Sequence, residues 1–212
     1  MKDYDFYLLN VFAETHFGGN PLAVFPAADG LNDEQMQLIA RQFNLSETVF
    51  LQTATHSSAV KKLKIFTPDY ELPFAGHPTI GASFVIRRLF CEKDQYQIET
   101  LSGLATIKHQ HEEITFALKK EVKTKPCHLD NAELADILGL QETDIESEPM
   151  WINTGTWQLL IRLKSESAVK NCQISPALFM TKLDSGVWGS CYVWFAHNGQ
   201  AKVRMFLHKA IR

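Results

Sequence analysis

The sequence has no CxxC pair, no run of basic residues and no apolar stretch long enough to cross a bilayer. Its four cysteines, Cys91, Cys127, Cys172 and Cys191, are too scattered to indicate a zinc site or a disulfide framework. Without clustered Lys or Arg, and with a net charge of −3, the chain offers no surface suited to nucleic acid or to an anionic membrane. The opening MKDYDFYLLNVF carries acids where a signal peptide wants basic residues, and it lacks a small-residue cleavage site, so a cytoplasmic protein is expected. There is no GxGxxG either. Gly18-Gly19 reads as a tight turn rather than a phosphate cradle, because no helix follows it directly. What remains is an ordinary globular composition: 212 residues, 45% hydrophobic and 21% charged, enough for one large domain or two small ones with a real core.

The most informative stretch is Lys64 to Arg88, KIFTPDYELPFAGHPTIGASFVIRR. A short strand-like run breaks at Thr67-Pro68 and again at Pro73, then passes through Ala75-Gly76-His77 into Pro78 to Leu89. Proline at the first helical position and arginines in the last turn predict a helix over 78–89. Apolar or small residues all round predict that it is wholly buried. Its first turn carries unpaired N–H groups and the positive end of the helix dipole, with Gly76, His77, Thr79 and Ile80 as the nearby donors, so its mouth is a candidate anion site. His77 there reads equally well as a proton-transfer group or as a helix-capping residue.

The rest of the chain reads as many short strands with few helices. Tyr4 to Phe12 and Leu22 to Phe25 form a predicted hairpin. Asn32 to Phe43 is a predicted helix with Asn32 as cap, Gln35 at the capping-box position, and an apolar side of Leu31, Met36, Leu38, Ile39 and Phe43. Glu47 then stands at the start of an apolar strand, where local sequence supports a solvated loop glutamate as well as a catalytic one. Ala59 to Phe66 is expected as a strand with its basic residues on an exposed face. Gln95 to Thr100, Ala105 to His109 and Glu113 to Leu118 are expected as antiparallel strands. His109-x-His111 has a spacing that could ligate a metal, but a solvated strand end is the better reading. Glu121 to Pro126 is expected as a linker, Asn131 to Leu138 as a helix ending at Gly139, Trp151 to Leu163 as a turn-and-strand pair, and Ala177 to Leu183 as a helix. Gly189 to His197 and Ala201 to Leu207 flank Asn198-Gly199 as the clearest hairpin. Lys64-Ile65-Phe66 is echoed weakly by Arg204-Met205-Phe206.

Several blocks occur in a telling order: Asn10-Val11-Phe12, Gly19-Asn20-Pro21-Leu22-Ala23-Val24, Ser46-Glu47-Thr48-Val49-Phe50, and Phe66-Thr67-Pro68 followed by Glu71-Leu72-Pro73-Phe74-Ala75-Gly76-His77-Pro78-Thr79. This combination resembles the phenazine-biosynthesis PhzF-like family, and Thr154-Gly155 and Arg204-Met205-Phe206 continue the likeness thinly. The resemblance implies an α+β, diaminopimelate-epimerase-like fold: an antiparallel β-barrel rolled around a central helix, pseudo-duplicated into two lobes, here 1–120 and 121–212. It implies a cofactor-free isomerase that moves a proton in a small cyclic carboxylic acid. Glu47 would be the acid/base and His77 the second catalytic residue, with Asn20, Ser46, Gly76 and Thr79 binding substrate. Such chemistry needs a carboxyl group that acts first as base and then as acid, and donors for the developing charge. No metal, nucleotide or flavin is required. Epimerases of this fold that use paired cysteines are excluded as a reading, since Pro73 to Thr79 contains no cysteine.

One departure qualifies the likeness. Family members carry an E-D-P-x-T-G-S block after the Arg-x-Phe strand, which starts a second central helix. Here Leu207-His208-Lys209-Ala210-Ile211-Arg212 lacks that pattern, and Asp184-Ser185-Gly186 precedes the strand. A C-terminally truncated second lobe is therefore expected, leaving the apolar faces of Tyr192 to Phe195 and Val203 to Phe206 open and favouring a homodimer or higher oligomer. The alternative to an isomerase is a catalytically silent homologue that persists as an oligomeric or small-molecule-binding protein.

Overall fold

The structure is a computed structural model that describes residues 3–119, 121–146, 148–154, 157–183 and 188–209. Gly155, Asp184-Ser185-Gly186 and the last three residues lie outside the described residues. The chain divides into two compact units, 1–120 and 121–212.

In the first unit, β1 (Tyr7–Val11) and β2 (Asn20–Phe25) form the expected hairpin. Helix α1 (Asp33–Phe43) leads to β3 (Thr48–Gln52), and β4 (Ala59–Phe66) and β5 (Glu71–Leu72) precede helix α2 (Gly76–Leu89). Strands β6 (Gln95–Thr100), β7 (Gly103–Gln110) and β8 (Glu113–Leu118) complete it. The sheet order is β1-β2-β3-β4-β6-β7-β8, with β5 beside β4. The expectation of a purely antiparallel sheet is corrected: β2 with β3 and β4 with β6 are parallel. A parallel pair needs a crossover, which α1 supplies for the first pair and α2 for the second.

Helix α2 packs on β1 and β2 near one end of this order and on β8 at the other. Laid flat, seven strands would set those edges roughly 29 Å apart, far more than the width of a helix, so the sheet is curled. On its concave side Val24, Val49, Leu51, Leu63 and Ile65 meet Ala82, Val85 and Ile86 of α2. The alternate residues Phe25, Phe50 and Phe66 point the other way, onto Met36 and Ala40 of α1. With helices on both faces, the buried positions of these central strands are apolar except Thr48 and Lys64.

Local details correct several expectations. Asn32 and Gln35 form the capping box of α1, but Leu38 is exposed because it sits two residues from Met36, on the far side of the helix. Helix α2 starts at Gly76 rather than Pro78. Proline at the third position is tolerated because that N–H has no intrahelical acceptor. Nor is α2 buried all round, since Phe84 and Leu89 are exposed. Lys64 does not lie on an exposed face of β4; it is buried, paired with Asp33 of α1 and, at 3.4 Å, with Glu71. His109 and His111 do not share a strand face. His109 is buried with Nε2 3.0 Å from the Tyr96 hydroxyl, while His111 is exposed in the β7–β8 turn at φ 55°.

In the second unit the supposed linker contains β9 (Lys123–Pro126), which pairs antiparallel with β10 (Met150–Asn153). Helix α3 (Asn131–Leu138) is capped by Asp130 and ends at Gly139, φ 64°. A short 3₁₀ turn, Glu142–Asp144, precedes β10; β11 (Trp157–Arg162) follows, then α4 (Glu166–Asn171), α5 (Pro176–Lys182), β12 (Trp188–His197) and β13 (Gln200–Lys209). The sheet runs β13-β12-β11-β10-β9, with β11 and β12 parallel. Asn198 and Gly199, at φ 49° and 75°, make the tight β12–β13 turn. One sheet face, with Trp151, Leu159, Ile161, Cys191 and Val193, packs with Leu134, Ile137, Val169 and Phe179 of the helices. On the other face Tyr192 and Trp194 are half-buried and their partners Met205 and Val203 are exposed.

Candidate active site

Three separate segments meet at the N-terminus of α2. Asn44 ends α1 in the left-handed conformation, φ 52°, and the chain turns through Ser46 and Glu47 directly into β3. Asn20 opens β2 just after Gly19, φ 75°, where a side chain would stand 2.3 Å from the Val11 carbonyl oxygen. His77 lies in the first turn of α2. Residues 57 and 30 positions away from His77 are thereby brought to its ring.

The Glu47 carboxylate Oε2 lies 2.9 Å from His77 Nδ1, with the two side chains only 19% and 12% exposed. Asn20 Nδ2 is 3.3 Å from the same Nδ1, and the Asn20 backbone oxygen is 3.2 Å from Nε2. The Ser46 hydroxyl donates to Asn20 Oδ1 at 3.4 Å. Asn20, Ser46, Glu47 and His77 thus form one connected cluster.

The other two expected site residues behave differently. Gly76 is the first residue of α2, where a Cβ would stand 3.3 Å from the Phe116 ring, so its lack of a side chain lets β8 lie close over the helix start. Its N–H and that of His77 have no intrahelical acceptor, and no side chain caps the helix at Ala75. Thr79, by contrast, is fully buried. Its N–H already bonds the Ala75 carbonyl at 3.2 Å, its carbonyl accepts the Ser83 hydroxyl at 2.7 Å, and its own hydroxyl has no partner among the described residues. Thr79 is therefore not one of the free donors at the mouth.

Two neighbours escaped the sequence reading. Tyr70 faces the Glu47 charge, and its phenol is pushed up by burial first, then by Asp69 and Glu47, so it stays protonated. Phe12, 70% exposed, has its ring centre 6.4 Å from the imidazole and a backbone φ of 59°, unfavourable for an aromatic residue. Phe12 belongs to a block that carried the family likeness, and Tyr70 lies between two of those blocks, which was the available signal. Among the described residues no cysteine joins the cluster. Cys172 and Cys191 are buried in the second unit, where burial pushes the Cys172 thiol up to about 11.

A curled mixed sheet packed on a helix, with a carboxylate and an imidazole at that helix's mouth, defines an α+β class to which the fold comparison also points. A PhzF-family phenazine biosynthesis protein from Bacillus anthracis superposes with a TM-score of 0.81 over 97% of this chain and 72% of that one, at 24% identity. Residues 9–209 match the PhzC-PhzF family of phenazine biosynthesis-like proteins, and the chain belongs to that family. It is 53% identical, over 97% of its length, to an uncharacterized isomerase of Pasteurella multocida, of which it spans 70%. It is 30% identical, over 77% of its length, to trans-2,3-dihydro-3-hydroxyanthranilate isomerase of Pseudomonas aeruginosa, of which it spans 59%. Among the described residues no helix is long and apolar enough to cross a membrane.

Proposed function

We propose that this chain is a cofactor-independent isomerase that moves a proton between carbons of a small cyclic carboxylic acid, with Glu47 as the acid/base. The observation that carries this reading is the 2.9 Å contact between Glu47 and His77 at the N-terminus of α2. Glu47 takes a proton from a ring carbon, the electron pair of that C–H bond shifts into the conjugated system, and the Glu47 carboxyl, whose proton exchanges with solvent, delivers a proton to a second carbon. No net charge or redox change occurs. The free N–H groups of Gly76 and His77 and the helix dipole favour a carboxylate, and the negative charge that develops on it, at the helix mouth. The names of the relatives support the reaction class. The name of the Pseudomonas aeruginosa relative suggests the substrate class, a dihydro-hydroxyanthranilate.

In the same reading, the first unit is a barrel around α2 as its central helix, the second unit is a related lobe, and the protein acts in the cytoplasm. The experiment is to incubate the chain with trans-2,3-dihydro-3-hydroxyanthranilate in D₂O. Deuterium should enter a ring carbon with the wild type and fail to enter with Glu47→Gln, at a rate lower by on the order of 10² or more. Equal incorporation by both would overturn the assignment of Glu47.

A second reading is a catalytically silent homologue that persists as an oligomeric or small-molecule-binding protein, and the second unit supports its oligomeric part. The exposed Val203, Met205 and Leu207 lie on β13, whose outer edge pairs with no strand among the described residues. An exposed apolar edge strand is a template for pairing with a second copy. Self-association is compatible with either activity outcome, so deuterium incorporation decides between the two readings.

A further inference from the structure

Every ring nitrogen of His77 is accounted for, and the partners differ in what they can do. The Asn20 backbone oxygen, 3.2 Å from Nε2, is only an acceptor, so this contact is a hydrogen bond when Nε2 carries a proton. At Nδ1 there are two neighbours, Glu47 Oε2 at 2.9 Å and Asn20 Nδ2 at 3.3 Å. The amide is only a donor there. Behind it, Ser46 Oγ–H donates to Asn20 Oδ1 at 3.4 Å, an arrangement in which the NH₂ group faces the ring.

We propose that Asn20 and Ser46 are positioning residues rather than substrate ligands. Asn20 holds His77 with its proton on Nε2, so that Nδ1, facing Glu47, is the nitrogen that gains and loses a proton. Two arrangements satisfy the Glu47 contact at Nδ1 and the Asn20 carbonyl contact at Nε2, and in neither is the Nδ1 lone pair free for the Asn20 amide. In one, imidazolium Nδ1–H donates to the Glu47 carboxylate; in the other, protonated Glu47 donates to the Nδ1 lone pair. They have the same number of protons and differ only in which side of a 2.9 Å contact holds one. The opposite tautomer, protonated on Nδ1 alone, would set the Nε2 lone pair against the Asn20 carbonyl oxygen. When the shared proton has left the pair, the Asn20 amide remains to donate to Nδ1 and relieves the repulsion between that lone pair and the carboxylate. Ser46 and Glu47 are adjacent in sequence, so the residue that orients the amide moves with the carboxylate it serves. The remaining charged or titratable neighbours come from the turn after β4: Tyr70, which faces Glu47, and Asp69 beside it.

The proposal deepens the isomerase reading, but its first test needs no substrate. In ¹⁵N-histidine-labelled protein, His77 is identified by the signal missing from His77→Gln. Glu47→Gln removes the shared proton, and the neutral ring should then show a protonated Nε2 and an unprotonated Nδ1. Asn20→Asp, which removes the amide donor from Nδ1, should shift the Nδ1 signal. Ser46→Ala should shift the Nδ1 signal, and Ser46→Thr, which keeps the hydroxyl, should restore it. A neutral ring protonated on Nδ1, or a His77 signal indifferent to both Ser46→Ala and Asn20→Asp, would overturn the proposal. Ser46 is exposed, so its variants test the idea even if an Asn20 variant fails to fold. Where turnover is measurable, Asn20→Ala should lower kcat on the order of 10-fold with KM unchanged. A raised KM at constant kcat would instead make Asn20 a substrate ligand. Because the spectra are read without substrate, the absence of isomerase activity would leave the tautomer result standing on its own.

Discussion

At the scale of single residues, backbone conformation decides more than side-chain type. Gly18 and Gly19 look alike in the sequence, yet only Gly19 has a positive φ, and only there would a Cβ fall 2.3 Å from a carbonyl oxygen. Gly19→Ala is therefore expected to destabilise the first unit by more than about 2 kcal/mol, read as a lower urea midpoint. It should also displace Asn20, the next residue, and with it the His77 contacts. Phe12, at the other end of the same loop, is held at φ 59° beside His77 with most of its surface exposed. Neither strain was visible in the sequence, since φ depends on the register of the hairpin that the loop closes. The same holds for Glu47 and His77. Each stood out by its position, but their 2.9 Å contact across 30 residues comes from the parallel pairing of β2 with β3 and from where α2 begins. The family likeness supplied an expectation of proximity that spacing alone did not.

At the scale of elements, what was legible was local. Helices α1 and α3 announce themselves because Asn32 with Gln35, and Asp130 with Glu133, close capping boxes within four residues. The start of α2 was misplaced because Ala75 offers no side-chain cap, and α4, six residues long, was missed because it is barely more than a turn. Parallel pairing was invisible, since it depends on crossovers rather than on strand composition. The Lys64 and Arg204 echo also has no common role. Lys64 pairs with Asp33 in the first turn of α1, whereas Arg204 donates to the carbonyls of Val169, Lys170 and Cys172 at the end of α4. Packing at this scale gives two predictions. A Cβ on Gly81 would stand 2.5 Å from Leu22 Cδ2 and 2.8 Å from Val11 Cγ2, so Gly81→Val should cost about 1–3 kcal/mol in unfolding free energy by separating α2 from the β1–β2 hairpin. His109 is buried on β7, and burial first, then the nearby Arg87 cation, push its imidazole below the usual 6.5, with Asp94 opposing. A group held neutral in the fold contributes stability above its unfolded value and loses it as pH falls through the lowered folded value. The urea midpoint should therefore fall as pH drops below about 6.5, and His109→Gln should flatten that part of the profile.

At the scale of the whole chain, the two units differ in how completely their sheets are covered. In the first, β2, β3 and β4 have helices on both faces; in the second, α3, α4 and α5 cover one face, and the other presents Tyr192, Trp194, Met205 and Val203 in register, with Leu207 beyond them. Leu207 is 64% exposed, and the stripe lies on a ten-residue edge strand without proline or glycine to break it. Such an edge is self-complementary: an antiparallel β13 to β13 pairing about a two-fold axis would join two five-stranded sheets and place the two stripes side by side. Lys202, Arg204 and Lys209 also lie on β13, but Arg204 is held by the α4 carbonyls, and in a centred antiparallel pairing Lys202 and Lys209 fall toward the ends of the strand, away from Met205 at its middle. Light scattering should accordingly give a mass that rises from one chain toward two as concentration increases through the micromolar range. Met205→Lys should hold the chain at one copy, because its charge would fall in the middle of the joined stripe. The variant's circular dichroism should match the wild type, since Met205 is already exposed in the single chain. A wild type that remains at one copy across that range would rule out this face as a self-association surface.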